Sequence, residues 1–273
     1  MTRALDRSSG TAAPGRASIP ARTLRTDRWW QPPLTTFVLL SAWVLYAVVR
    51  TVLQSDYFAA PEHYLSPFYS PCVTASCVPA ARDFGTWFGH FPPILPFAIV
   101  TLPFLLGFRL TCYYYRKAYY RAYWQSPPAC AVAEPHGKYT GETRFPLIFQ
   151  NVHRYFWVAA VIVSVFNTWD VIQAFRPEDG HAFGFGLGTL IMLVNVILLW
   201  TYTISCHSCR HIVGGKLRTF SRHPLRYRAW QFISKLNAKH MELAWTTLAT
   251  LFITDGYIAL VSAGVFSDPR ILN

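Results

Sequence analysis

Charge is what this chain has least of. Asp, Glu, Lys and Arg supply 14% of its residues, against 52% hydrophobic, where a soluble globular domain carries about 25% charge. The deficit excludes an ordinary water-soluble domain and points to the membrane class. Acidic residues are the scarcer sign, 13 against 25 Lys and Arg. Internal repeats are absent, which excludes solenoids and propellers. An apolar h-region is missing from Met1 to Pro33, so no cleavable signal peptide is expected there. That stretch is rich in Arg, Ser, Ala and Pro and reads as a flexible basic tail, residues 1–33, part of which orders only against a partner.

What is present are long apolar runs. Five read as spans: 34–53, 93–110, 155–175, 183–204 and 243–265, each near the ~20 residues that cross ~30 Å of hydrocarbon. Pro93, Pro96 and Pro103 predict a kink in the second. Gly184, Gly186 and Gly188 at the start of the fourth permit close helix packing. The expected fold is an all-α membrane protein, a five-transmembrane-helix bundle over 34–266. An outer loop covers 54–92, inner loops cover 111–154 and 205–240, and a short tail covers 267–273.

Basic residues set the expected orientation. Of the 25 Lys and Arg, 21 fall on the side of the N-terminus, leaving Arg50, Arg82, Arg176 and Arg270 on the other. The positive-inside rule makes the N-terminus cytoplasmic and the C-terminus outside, in a multi-pass cell-membrane protein. It also accounts for the net charge of +12 without nucleic acid, since the basic face meets anionic lipid or an acidic soluble partner. The inner end of the second span continues as Tyr113-Tyr114-Tyr115-Arg116-Lys117, then Tyr119-Tyr120-Arg121 and Tyr123-Trp124. This is either an interfacial aromatic belt or a docking platform for a cytoplasmic subunit, and the two are compatible.

The outer loop holds Tyr64-Leu65-Ser66-Pro67-Phe68-Tyr69-Ser70-Pro71-Cys72, with Cys77 five residues on. Outside the cytoplasm a disulfide persists, so Cys72 and Cys77 are either bridged or two separate thiols. Pro67 and Pro71 argue against a long helix here, and Tyr64, Phe68 and Tyr69 suit a reentrant cap dipping into the interface.

The fourth span ends in Ser205-Cys206-His207-Ser208-Cys209-Arg210-His211. Cysteines three apart share a helix face, so Cys206 and Cys209 form a two-thiolate clamp, with His207 and His211 pointing elsewhere. His153 and His240 start the third and fifth spans at the same inner depth. Two Cys and two His are the ligand set of a Rieske-type 2Fe–2S cluster, and equally of zinc. The second Cys-His box of soluble Rieske domains is missing, which excludes that soluble fold. Asp170 and Asp255 lie some 22–26 Å further along their spans, near the outer face, where Arg50 or Arg176 could neutralise them. No catalytic residue of the acid–base or nucleophile kind is singled out.

These features resemble the membrane subunit of respiratory complex II, and more narrowly its actinobacterial type. The loop from Tyr64 to Cys72, the Asn151-Val152-His153-Arg154-Tyr155 start and the Cys206-x-x-Cys209 end carry the resemblance, over most of residues 30–266. It implies a haem-free anchor of succinate dehydrogenase, not active alone, that works with a flavoprotein subunit and an iron–sulfur subunit. Electrons would pass through Cys206, Cys209, His153 and His240 with their cluster to a quinone, menaquinone or ubiquinone. The quinone is expected near Tyr155, Trp157 and Trp245 at the inner ends of spans three and five. A higher oligomer of the heterotrimer is left open. Two other readings stand beside it. One is a dihaem b anchor of the same enzyme class using His153 with His240 and His90 with His181; the other is a non-redox transporter or scaffold.

Overall fold

The computed structural model describes residues 25, 27–132, 134–136, 148–176 and 183–272. Most of the basic tail, part of the inner loop after residue 136, and His181 lie outside the described residues. The chain divides into two compact units, residues 1–42 with 116–147 and residues 43–115 with 148–273.

Helix α1 spans Gln31–Leu53 and runs through both units. Pro32 and Pro33 occupy its first turn, where a missing N–H costs nothing. In the smaller unit its N-terminal half meets α3, Tyr113–Tyr123, through a Ser41–Tyr123 hydroxyl contact of 2.7 Å and a tilted Phe37–Tyr123 ring pair.

The larger unit is built on α4 (Ile148–Gln173), α5 (Leu187–Ile204) and α8 (His240–Ser262). With α1 these are the four helices, among the described residues, long and apolar enough to cross a membrane. Their outward faces carry Val158, Ile162, Val165, Ile197, Phe252 and Leu260 exposed, a surface suited to lipid and not to water. Helix α5 packs on α8 and α4.

The expected second span is not one continuous helix. A short 3-10 turn covers Phe97–Val100, and α2 follows only over Leu102–Thr111. Ten residues reach ~15 Å, about half the hydrocarbon thickness. Pro96 and Pro103 bracket the break, each denying the helix a donor. Helix α2 lies against α4, with Gly107 seated under the Phe156 ring, where a Cβ would come within 2.3 Å of ring carbon.

The loop after α1 is folded into the bundle instead of lying on it. Strands β1 (Phe58–Ala59) and β2 (Tyr64–Leu65) pair antiparallel, Cys72 and Cys77 are disulfide-bonded, and Tyr64, Ser66 and Ser70 are fully buried. Polar side chains on the spans hold it. Asp255 accepts from Arg50 Nε at 2.7 Å, from Arg50 Nη2 at 3.2 Å, and from Tyr46 and Ser66. The Tyr69 hydroxyl donates to the Arg50 carbonyl. Tyr64 donates to Asp268 at 2.8 Å, and Asp268 also takes Tyr257 at 2.6 Å and the Gly188 amide at 2.8 Å. Irregular backbone at this depth is tolerable because protein, not lipid, satisfies it. The segment expected as a short tail is likewise tied down: β4 (Arg270–Leu272) pairs with β3 (Phe185–Gly186).

Helix α5 stops at Ile204. A turn at Ser205 and Cys206 starts a new helix α6, His207–Gly214, whose N-cap is Cys206. Cys206 and Cys209 therefore do not continue the span. Helix α7, Pro224–Asn237, precedes α8 and packs on α6.

Candidate redox-metal centre and adjoining cavity

The ends of α2, α4, α5 and α8 converge on a buried cluster of imidazoles and thiols. His153 turns Nε2 toward the Cys206 sulfur at 3.2 Å, and its Nδ1 pairs with the Thr111 hydroxyl at 2.8 Å. His240 repeats the arrangement, with Nε2 3.7 Å from the Cys112 sulfur and Nδ1 2.6 Å from the Ser205 hydroxyl. Phe108 stacks on the His153 ring and Tyr202 on the His240 ring. The two thiols lie close enough to influence each other, as do the two imidazoles.

This is the donor pattern of metal-binding histidine. One ring nitrogen faces the ligand position while the other is fixed by a hydrogen bond that sets tautomer and orientation. Here both histidines do so with a hydroxyl partner. Burial pushes the Cys206 thiol up to about 12, so the thiol stays protonated until a cation draws the proton off. The Ser208 amide points at the Cys206 sulfur from 3.4 Å, a donor placed for a thiolate.

Of the four ligands expected, His153, Cys206 and His240 share this cluster. Cys209 sits buried one turn into α6, with no hydrogen bond to either imidazole among the described residues. The residue the sequence reading passed over is Cys112, which is 2% exposed and faces His240. Its signal was available: it directly follows the second apolar run, at the depth of His153. Among the described residues no three His, Cys, Asp or Glu converge on one ion. A mononuclear zinc site needs four donors around one metal, whereas a 2Fe–2S cluster takes protein donors two by two. The four side chains here are two thiols and two imidazoles. His207 is held aside by Asn237 at 2.6 Å, and His90 is exposed on the outer loop.

Beside the cluster opens a cavity of about 280 Å³. Phe108, Arg109 and Tyr202 close one end, and Phe68, Ser164 and Asn167 line it toward the loop. Most of its remaining wall is aliphatic. The Tyr202 hydroxyl is buried without a hydrogen bond of ordinary geometry among the described residues, the Cys112 thiol beside it. Arg109 lies over the Tyr115 and Tyr202 rings and reaches the Tyr115 and Thr247 hydroxyls. Tyr155, Trp157 and Trp245, expected at a quinone, line a different surface. Tyr155 is 72% exposed, Trp157 donates to the Thr203 carbonyl at 2.9 Å, and Trp245 rests by the Tyr115 ring. None of the three borders the cavity.

Comparison with known proteins follows this geometry. Residues 31–264 match the family model described as actinobacterial succinate dehydrogenase subunit SdhC. A solved structure, "Mycobacterium smegmatis Sdh1 complex in the apo form", matches with 60% sequence identity and a TM-score of 0.88, over 96% of this chain and 98% of that one. No curated protein sequence matches. With a family model covering most of its length, and a relative sharing the fold at this identity, the chain belongs to the actinobacterial SdhC family, the membrane subunit of succinate dehydrogenase, an oxidoreductase.

Proposed function

We propose that this subunit anchors a flavoprotein and an iron–sulfur subunit to the cell membrane, and that Cys112, Cys206, His153 and His240 hold a Rieske-type 2Fe–2S cluster. The observation that carries the reading is the paired arrangement: each imidazole faces a thiol through Nε2 and is braced at Nδ1 by a hydroxyl. Such a cluster would supply one-electron transfer between the soluble iron–sulfur subunit and a membrane quinone. The dihaem alternative leaves two buried thiols facing its inner histidines without a task, and membership of a succinate dehydrogenase family displaces the transporter reading.

The quinone belongs in the cavity. Trp157 is tied to Thr203, so Tyr202 stands level with the third turn of α4, about two helical turns from Ser164. A para-quinone ring set between them presents one carbonyl to the Tyr202 hydroxyl and the other to Ser164 and Asn167. Tyr202 donates the hydrogen bond, and Arg109 stabilises negative charge developing on the oxygen. The Phe108 and Tyr202 rings stack on the imidazoles, which keeps the ring within short-range tunnelling. The aliphatic wall accepts the isoprenoid tail. In this orientation the basic loops face the cytoplasm and the disulfide-bonded loop faces outward.

Filling the cavity tests the placement. Ala160→Trp, on its wall, is expected to abolish succinate-dependent quinone reduction while succinate oxidation by a water-soluble dye survives. Quinone reduction at the wild-type rate would refute it.

A further inference from the structure

Two buried acids lie in the spans, and they are held differently. Asp255 is saturated by Arg50, Tyr46 and Ser66, a fixed counter-ion. Asp170 is 3% exposed and among the described residues has Ser70 as its hydrogen-bond partner, with no cation bonded to it. An acid buried in a span without a counter-ion is costly, which makes it a functional candidate by default.

Its surroundings indicate which one. Asp170 borders a second, small cavity of about 10 Å³ with Asn167, Asn195 and Thr254, room for about one water molecule. The Asn195 carbonyl oxygen is buried there with no hydrogen-bond partner among the described residues, an acceptor placed for that water. Asn167 lines both the small cavity and the large one. Ser164, Asn167 and Asp170 recur every third residue of α4, a polar stripe on a single helix face. On the other side, the His63–Asp83 pair at 3.1 Å lies within electrostatic reach of Asp170 and is partly open to solvent in the disulfide-bonded loop.

We infer that Asp170 is the proton donor to the quinone, delivering protons from the face of the disulfide-bonded loop through a single water held by Asn167 and Asn195. The inference rests on the cavity being the quinone site. Succinate oxidation releases two electrons and two protons; the quinone takes up both electrons and two protons, one O–H bond forming on the oxygen at Tyr202 with a proton from the side of the soluble subunits and one on the opposite oxygen with a proton from Asp170. Asp170 gives its proton through the water to the oxygen facing Ser164 and Asn167, and is reprotonated by way of Ser70 and the His63–Asp83 pair.

The test uses the purified complete enzyme. Asp170→Asn keeps size and the Ser70 contact but cannot cycle a proton. It is expected to lower the kcat for quinone reduction at least tenfold, leaving the quinone KM and dye-linked succinate oxidation near wild type, with Asp170→Glu restoring most of the loss. Asn195→Leu, which fills the water site and leaves the acid intact, is expected to do the same and decides the matter if Asp170→Asn does not assemble. In oriented vesicles carrying a pH dye, proton uptake should come from the disulfide-loop face and vanish in either variant. A kcat within twofold of wild type in the assembled variants, or uptake only from the basic-loop face, overturns the proposal. If Ala160→Trp still reduces quinone at the wild-type rate, the cavity reading has failed, and the role of Asp170 fails with it; a defect in Ala160→Trp beside a wild-type kcat in the assembled Asp170 and Asn195 variants leaves the cavity reading standing and overturns the role of Asp170 alone.

Discussion

Single residues divide here into those that keep the protein together and those placed for chemistry. Arg50 and Asp255 are of the first kind. Replacing Asp255 by Asn strands a buried guanidinium, a change that costs on the order of 3–5 kcal/mol. The expected result is a lower thermal midpoint and a poorer yield of assembled complex, measured by scanning fluorimetry and size exclusion. Thr111 and Ser205 are of the second kind, bonded to the outer nitrogens of His153 and His240. Losing such a partner typically costs about 10–100-fold in metal affinity or activity. Thr111→Val should therefore lower the cluster content of the purified complex without disturbing the helices around it, as iron analysis and circular dichroism would record. Tyr202→Phe removes one donated hydrogen bond, worth about 1 kcal/mol; the quinone KM should rise roughly fivefold to tenfold, with dye-linked activity unchanged.

At the level of elements, rings packed directly against helix backbone account for Gly107 and Gly188. A Cβ on Gly188 would lie 2.3 Å from the ring of Tyr64, and that ring cannot yield, being fully buried and bonded to Thr189 and Asp268. Gly188→Ala is expected to loosen the loop from α5 and cost about 1–3 kcal/mol, as overpacking does, measurable as a fall in thermal midpoint. The sequence foretold that glycines would sit at a contact in this run, and its apolar lengths foretold α1, α4, α5 and α8. It foretold a kink in the second run from its prolines, and the structure goes further, breaking the run at Pro96 and Pro103 into a turn and a short helix, because each proline removes a donor that a continuous helix needs. Helical periodicity did not warn that α5 ends at Ile204. The Cys206–Cys209 spacing was read on one continuous helix, whereas Cys206 caps α6 and Cys209 lies in its first turn. Cys112 entered the cluster because α2 packs on α4 through Gly107; its place directly after the second apolar run was the signal the sequence offered for it.

Across the whole molecule the unequal distribution of charge is the clearest signal. Lys and Arg outnumber Asp and Glu by 25 to 13, and α3 carries Arg116, Lys117 and Arg121 among tyrosines. Reversing those three to Glu should release the soluble subunits at moderate salt, scored by co-purification; unchanged co-purification would refute the docking role. The loop of Tyr64 to Cys72, expected from the sequence as a reentrant cap dipping into the interface, is buried more deeply, as an internal plug. Its hydroxyls end on acids of α4, α8 and the C-terminal segment.

The central claim is the identity of the four ligands, and electron paramagnetic resonance of the dithionite-reduced complex tests it most directly. The wild-type spectrum should contain a signal of low average g beside those of the iron–sulfur subunit. That signal should vanish in Cys112→Ser and in His240→Ala and persist in Cys209→Ser. Its absence from the wild type, or its loss in Cys209→Ser and survival in Cys112→Ser, would contradict the account.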